Sequence, residues 1–272
     1  MKHSTQVSLM LATALLATPT LASEPMSKVV ASEDIQWGYL NPLRGELSPG
    51  AADLWGDRTT DSATGMLVRF KKGFESPPHI HNITYRGIVI DGLMHNDDPK
   101  AEKMWMPTGS YWTQPAGENH TTAANAETNL IYLEIDSGPY LVKPSNQSFD
   151  NGERPLNLHK DNIVWLENSE LYNIDAQGVK AAHVWQSNAE MSGSMIKLPK
   201  GFKGTITTAA SEFRAVIISG SVEYTSKDQA QHKTLQPGSY VESTGNFSHQ
   251  LSNNSGSEVT MYIRTNTKYQ VK

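Results

Sequence analysis

A long internal repeat constrains this chain more than any other feature. Residues 198–220, LPKGFKGTITTAASEFRAVIISG, line up with residues 69–92, RFKKGFESPPHIHNITYRGIVIDG. Lys72-Gly73-Phe74 matches Lys200-Gly201-Phe202, Arg86 matches Arg214, and Gly92 matches Gly220. Further on, Gly109-Ser110-Tyr111 matches Gly238-Ser239-Tyr240, and His120 matches His249, each eleven residues after its Gly. Repetition on this scale means one structural unit built twice. Within the first unit, short runs rich in Val, Ile, Thr and Tyr alternate with Gly, Pro and Asn. That pattern predicts strands over 65–70, 79–91, 103–106, 110–114, 120–123 and 129–135, as in a sandwich or barrel. No stretch shows a sustained helical period.

The first copy carries three histidines that the second does not keep together. His79 and His81 stand two apart, after Pro77-Pro78, in a strand-like segment. Residues two apart on a strand share a face, so both imidazoles project together. His120 follows the turn Pro115-Ala116-Gly117. Three imidazoles converging inside a β-structure make a metal site with positions open to a further ligand. In the second copy Thr207 aligns with His79, Ala209 with His81 and Phe213 with Tyr85, and only His249 remains. The expectation is one divalent transition metal per chain (Zn, Fe, Ni or Mn), held by the first copy, and a second copy without metal. Tyr85 is four residues past His81 on the same strand face. It is expected either as a core tyrosine or as a phenol beside the metal, acting as ligand or general base.

These stretches resemble the paired motifs of the cupin superfamily. Gly73, five residues, His79-Ile80-His81, three residues, Tyr85, six residues and Gly92 follow the spacing of the first motif. Gly109, five residues, Pro115-Ala116-Gly117, two residues and His120 follow the second. The departure is Tyr85, where the motif has a metal-binding Glu. The best overall likeness is to double-domain bacterial cupins related to the ChrR cupin, a group labelled as a domain of unknown function. The resemblance implies an all-β protein of two tandem cupin (double-stranded β-helix, jelly-roll) barrels, with metal ligands His79, His81 and His120. Three-histidine sites among cupins occur in dioxygenases that cleave carbon–carbon bonds of diketones.

Residues 1–22 read as a secretory leader: Lys2, an apolar run, then Thr20-Leu21-Ala22 before Ser23. The expected location is therefore periplasmic or secreted, with no membrane contact after cleavage. The remaining divisions are an arm over 23–50 laid against the first barrel, a metal-binding barrel over 51–143, a polar linker over 144–164 and a second barrel over 165–272. There is no cysteine, which excludes disulfides and thiolate ligands. A formal net charge of −5 without a basic run argues against nucleic-acid binding. The partner expected is a small-molecule ligand or substrate, and the second barrel is open to roles as scaffold, homodimer surface or apolar ligand pocket. His95, His159, His183 and His232 read as surface residues, and His249 as structural. The function expected is that of a metal-dependent oxygenase or lyase acting on a small oxyanionic or enolisable compound. The alternative is a sensor module that binds metal or a small ligand without turnover.

Overall fold

The computed structural model describes residues 26–187, 190–226 and 232–272, so the expected leader lies outside the described residues. The fold is all-β apart from short 3-10 turns, and the repeat appears as two barrels. The large sheet of the first barrel runs, in spatial order, Leu156–Leu158, Tyr111–Gln114, Tyr85–Asp91, Thr128–Ile135, Thr64–Lys71, Gly50–Trp55 and Gly38–Tyr39. The matching sheet of the second runs Met26–Val30, Tyr240–Thr244, Phe213–Ser219, Val259–Thr265, Ser192–Leu198 and Lys180–Gln186. Each large sheet is faced by a second set of strands, short and broken in the first barrel and a six-stranded sheet in the second. In the first barrel these are Leu93–Asp97, Thr121–Ala124, Met106–Pro107 and the pair His79–His81 with Val142–Pro144. Residues 103–105, expected as strand, form a loop before Met106. The expected single strand over 79–91 turns a corner at 82–84 and passes from the small sheet to the large one.

Two placements differ from expectation, and they are mirror images. Met26–Val30 was expected on the first barrel but pairs antiparallel with Tyr240–Thr244 of the second. Leu156–Leu158, within the expected linker, pairs with Tyr111–Gln114 of the first. Each segment that precedes one barrel in the chain thus adds the edge strand of the other. Both crossings are anchored alike: the Ser32 N–H donates to Ser239 Oγ at 3.0 Å, and the Lys160 N–H to Ser110 Oγ at 3.1 Å. An edge strand exposes unpaired backbone donors and acceptors, and this exchange satisfies one such edge on each sheet.

The large sheets pack against each other through one core that includes Ile35, Trp55, Leu67, Ile88 and Tyr132 from the first half and Trp185, Met195, Val216, Tyr240 and Tyr262 from the second. At its centre Arg86 stacks 3.7 Å over the Trp185 ring and Arg214 stacks 3.9 Å over the Trp55 ring, a reciprocal pair. Arg264 donates to Asp136 at 2.7 Å and lies 3.4 Å from Glu134, which is only 1% exposed. Tyr262 adds a hydrogen bond to Glu134 at 2.7 Å. The buried carboxylate therefore has both counter-charge and hydrogen bonds, the condition under which a buried charge is tolerated.

Candidate metal centre

The three histidines meet inside the first barrel because of backbone pairing. The His79 N–H donates to the His120 carbonyl and the His120 N–H to the His79 carbonyl, both at 3.0 Å. The two residues are thus directly opposite across the small sheet, and their ring centroids lie 4.3 Å apart. His81, two residues on, faces the same way, with its ring 5.1 Å from His79 and 5.3 Å from His120. Pro77 and Pro78 lack N–H groups and leave the ladder. The strand resumes at His79 after the Ser76 N–H has bonded to the Thr122 carbonyl, so three steps on one side span two on the other. That is a β-bulge, and it re-aims the histidine strand by one residue.

All three rings are buried, and all are oriented the same way by backbone carbonyls. The Nδ1 atom of His79 faces the Pro77 carbonyl at 2.9 Å, that of His81 the Leu141 carbonyl at 3.1 Å, and that of His120 the Glu118 carbonyl at 3.0 Å. A carbonyl can only accept, so each Nδ1 carries the proton and each Nε2 keeps its lone pair. Among the described residues, these histidines form the group able to hold a metal, with ligand atoms within 4.8 Å of one another. An ion at about 2.1 Å from each nitrogen would draw the donors to within about 4 Å, a small inward shift. Carbonyl-fixed tautomers of this kind are the usual support for metal-binding histidines. Burial and the neighbouring rings hold the imidazoles neutral. His120 is pushed down to about 3 by burial and then by His79, and His81 and His79 also lie below the ordinary value, again through burial first. The residues present therefore fit a divalent metal.

Two phenols stand against the free nitrogens. The Tyr85 hydroxyl lies 3.3 Å from His120 Nε2, and the Tyr140 hydroxyl 3.2 Å from His81 Nε2. The Tyr140 ring also stacks on His81, with centroids 4.4 Å apart. Behind Tyr85 runs a polar chain of fixed direction. The Glu118 carbonyl accepts from Gln114 Nε2 at 3.3 Å, Gln114 Oε1 accepts from Asn96 Nδ2 at 2.8 Å, and Asn96 Oδ1 accepts from Tyr85 at 2.9 Å and Thr122 at 2.7 Å. Because the carbonyl at one end can only accept, every donor in the chain is assigned. The Tyr85 proton points at Asn96, and its oxygen lone pairs face the histidines. Burial pushes the Tyr85 phenol above its ordinary pKa, so the protein by itself keeps it neutral. The buried Trp112 indole nitrogen lies beside the Tyr85 hydroxyl, where an N–H donor favours the oxygen's charged form and partly offsets burial.

The sequence of residues 28–272 matches the family described as "Domain of unknown function (DUF4437)". The chain belongs to that family. A search of curated proteins found no match. Among solved structures, a putative dioxygenase from Nostoc punctiforme superposes with a TM-score of 0.65 at 12% identity, over 88% of this chain and 82% of its own. A deletion mutant of oxalate decarboxylase from Bacillus subtilis does so with a TM-score of 0.51 at 15% identity, over 94% and 80%. A mutant salicylate 1,2-dioxygenase from Pseudoaminobacter salicylatoxidans gives 0.52 at 11% identity, over 78% and 73%. At such identities the likeness establishes the fold alone, a cupin fold. The fold neighbours include dioxygenases and a decarboxylase, and the three-histidine group is consistent with a metal enzyme.

The structure brings His79, His81, His120 and Tyr85 together. It adds Asn96, Gln114, Thr122 and Tyr140. Gln114 and Trp112 face the interior, whereas the Tyr111 hydroxyl bonds to Thr113 at 2.8 Å on the other face. Asn96 and Thr122 are directly paired across adjacent strands, a relation no motif reports. Tyr140 comes after the cis peptide Gly138-Pro139, on a turn far from the histidines in sequence. His95 is a correction: expected at the surface, it is 3% exposed. Loop 98–105 folds over it and sets the Trp105 ring 6.2 Å from its own, and burial lowers its pKa. His183 and His232 are exposed and His159 is half-buried.

Proposed function

We propose that the chain is a metal-dependent enzyme, an oxygenase or lyase, acting outside the cytoplasm on a small oxyanionic or enolisable compound. The observation that carries this reading is the common orientation of His79, His81 and His120, each with Nδ1 committed to a carbonyl and Nε2 turned inward. A divalent transition metal in this place supplies Lewis acidity and, with three neutral ligands, retains its full charge to attract an anion. The chain's own residues do the rest. The carbonyls of Pro77, Leu141 and Glu118 hold the rings in register. The Asn96–Gln114 chain keeps the Tyr85 proton away from the centre, so that Tyr85 presents an oxygen to it as a neutral ligand or as an acceptor for a substrate hydroxyl. No carboxylate belongs to the group, so a proton taken from substrate must pass to an oxygen or nitrogen of these side chains or to the substrate itself.

Elemental analysis of the purified protein, followed by a screen of β-diketones, 2-oxo acids and dicarboxylates with the metal found, tests this reading. Turnover of one class, abolished by His81→Ala, supports it. Stoichiometric metal with tight ligand binding and no turnover would make the protein a binding module instead.

A further inference from the structure

Tyr140 is fastened to the histidine strand more closely than packing alone requires. Asn82, next to His81, donates from Nδ2 to the Pro139 carbonyl and accepts at Oδ1 from the Leu141 N–H, both at 2.9 Å. The Leu141 carbonyl accepts from His81 Nδ1 at 3.1 Å, and the Tyr140 N–H donates to the Arg58 carbonyl at 2.8 Å. The next residues, Val142–Pro144, pair with His79–His81. The peptide on either side of Tyr140 is thus bonded to residues 79–82, and its ring lies flat on His81. The residue as a whole is half-buried, and burial of its phenol pushes the hydroxyl well above its ordinary pKa, so it stays a neutral donor.

The hydroxyl of Tyr140 has a polarity opposite to that of Tyr85. His81 Nε2 bears a lone pair, so Tyr140 donates to it. Tyr85 cannot play that part, because its proton is committed to Asn96. A metal on His81 Nε2 takes the acceptor that the Tyr140 proton has among the described residues. The hydroxyl, held in place by its backbone ties, then needs another acceptor within the centre, and an unmet donor in such a place is costly.

We propose that Tyr140 is the hydrogen-bond donor that recognises the substrate's anionic oxygen at the metal centre, so that the site selects small carboxylates or enolates. The proposal rests on the three-histidine reading and deepens it. In the second barrel the sheet register that pairs His81 with Val142 pairs Thr208 with Tyr269. The residue corresponding to Tyr140 is then Thr267, which is exposed.

The test uses the full chain loaded with Co(II), followed by visible absorption. Acetate is the probe, titrated into wild type and Tyr140→Phe, a change that keeps the ring on His81. Both proteins are expected to take up one Co(II) with similar affinity, the variant slightly more tightly because its His81 nitrogen is free. Wild type is expected to bind acetate at least tenfold more tightly than the variant. Equal acetate affinity at equal Co(II) loading would overturn the proposal while leaving the metal site intact. A large loss of Co(II) from Tyr140→Phe would also overturn it, since Tyr140 would then be a ligand. Absence of any Co(II) band in wild type would instead sink the three-histidine reading, and this proposal with it.

Discussion

The two barrels share a fold and differ in how one histidine is wired. In the first, His120 spends Nδ1 on a backbone carbonyl and turns Nε2 to the centre. In the second, His249 spends both nitrogens on side chains: Nδ1 meets the Tyr224 hydroxyl at 2.8 Å and Nε2 meets Ser243 Oγ at 3.0 Å. Tyr224 stands where the first barrel has Asn96, and Ser243 where it has Gln114, as the strand pairings show. Phe213 and Phe247 flank the ring at 4.7 Å each. What remains inside is a void of about 10 Å³ lined by Ile206, Ala215, Leu251 and Met261 among others, room for one water at most. The same burial lowers both histidines to about 3. Burial and neutrality therefore do not make a metal ligand; the direction of the free lone pair does.

The pairing of sheets also corrects the alignment of the two copies. Sequence places Thr207 opposite His79 and Ala209 opposite His81. The sheets instead pair Ile206 with His249, as they pair His79 with His120, so Ile206 and Thr208 hold the histidine positions. The extra residue is the Pro77-Pro78 bulge, compensated before Phe213, whose pairing with Ser243 matches that of Tyr85 with Gln114.

The largest expected effect breaks the comparison at its strongest point. His120→Ala removes one of three nitrogen ligands and should abolish stoichiometric metal, read by elemental analysis, whereas His249→Ala should leave metal content at that of wild type. Equal metal loss in both variants would show that the barrels do not differ in this way. His249→Ala should nevertheless cost about 2 kcal/mol or more of stability in a denaturant melt, because it opens a cavity and removes both hydrogen bonds of the imidazole, one to Tyr224 and one to Ser243.

A pH series sharpens the same point. Both His120 and His249 titrate near 3 in the folded chain and near the ordinary 6.5 when unfolded. The unfolded state thus binds more protons between these values. The stabilisation is complete above about pH 6.5 and is lost progressively as pH falls toward 3. By pH 5 each histidine should withdraw about 2 kcal/mol from the metal-free protein. His249→Ala should flatten the slope by about one proton in that window. An unchanged slope would mean that His249 is not held neutral by burial.

Much of this was legible beforehand, because it depends on local spacing. Strand alternation places His79 and His81 on one face, and the Pro-x-Gly turn brings in His120. The repeat predicts two barrels, and Phe213 at the Tyr85 position marks the second as different. The strand exchange was not legible: Ile35-Gln36-Trp37 and Ile163-Val164-Trp165 recur before each barrel, but a short motif does not say which barrel the flanking strand will cross to. Tyr140, Asn96 and the burial of His95 were not legible. Tyr140 and Asn96 depend on contacts between segments distant in sequence, fixed by sheet register, and the burial of His95 depends on where the loop that follows it folds back.

The smallest effect concerns Tyr85 itself. Tyr85→Phe makes the first barrel like the second at one position, where Phe213 already serves as a buried core residue. Asn96 Oδ1 keeps its bond from Thr122 at 2.7 Å, so removal of the phenol hydroxyl leaves no amide group orphaned. The stability cost should therefore stay below about 1 kcal/mol in thermal or denaturant unfolding. Metal affinity should fall by less than tenfold, since the three nitrogens and their carbonyl supports are untouched. Turnover on the substrate found by the screen should fall much further, because the oxygen facing the centre is gone. If turnover and the Co(II) spectrum both match wild type, Tyr85 is a packing residue like Phe213. The functional difference between the barrels would then reduce to the three histidines and Tyr140.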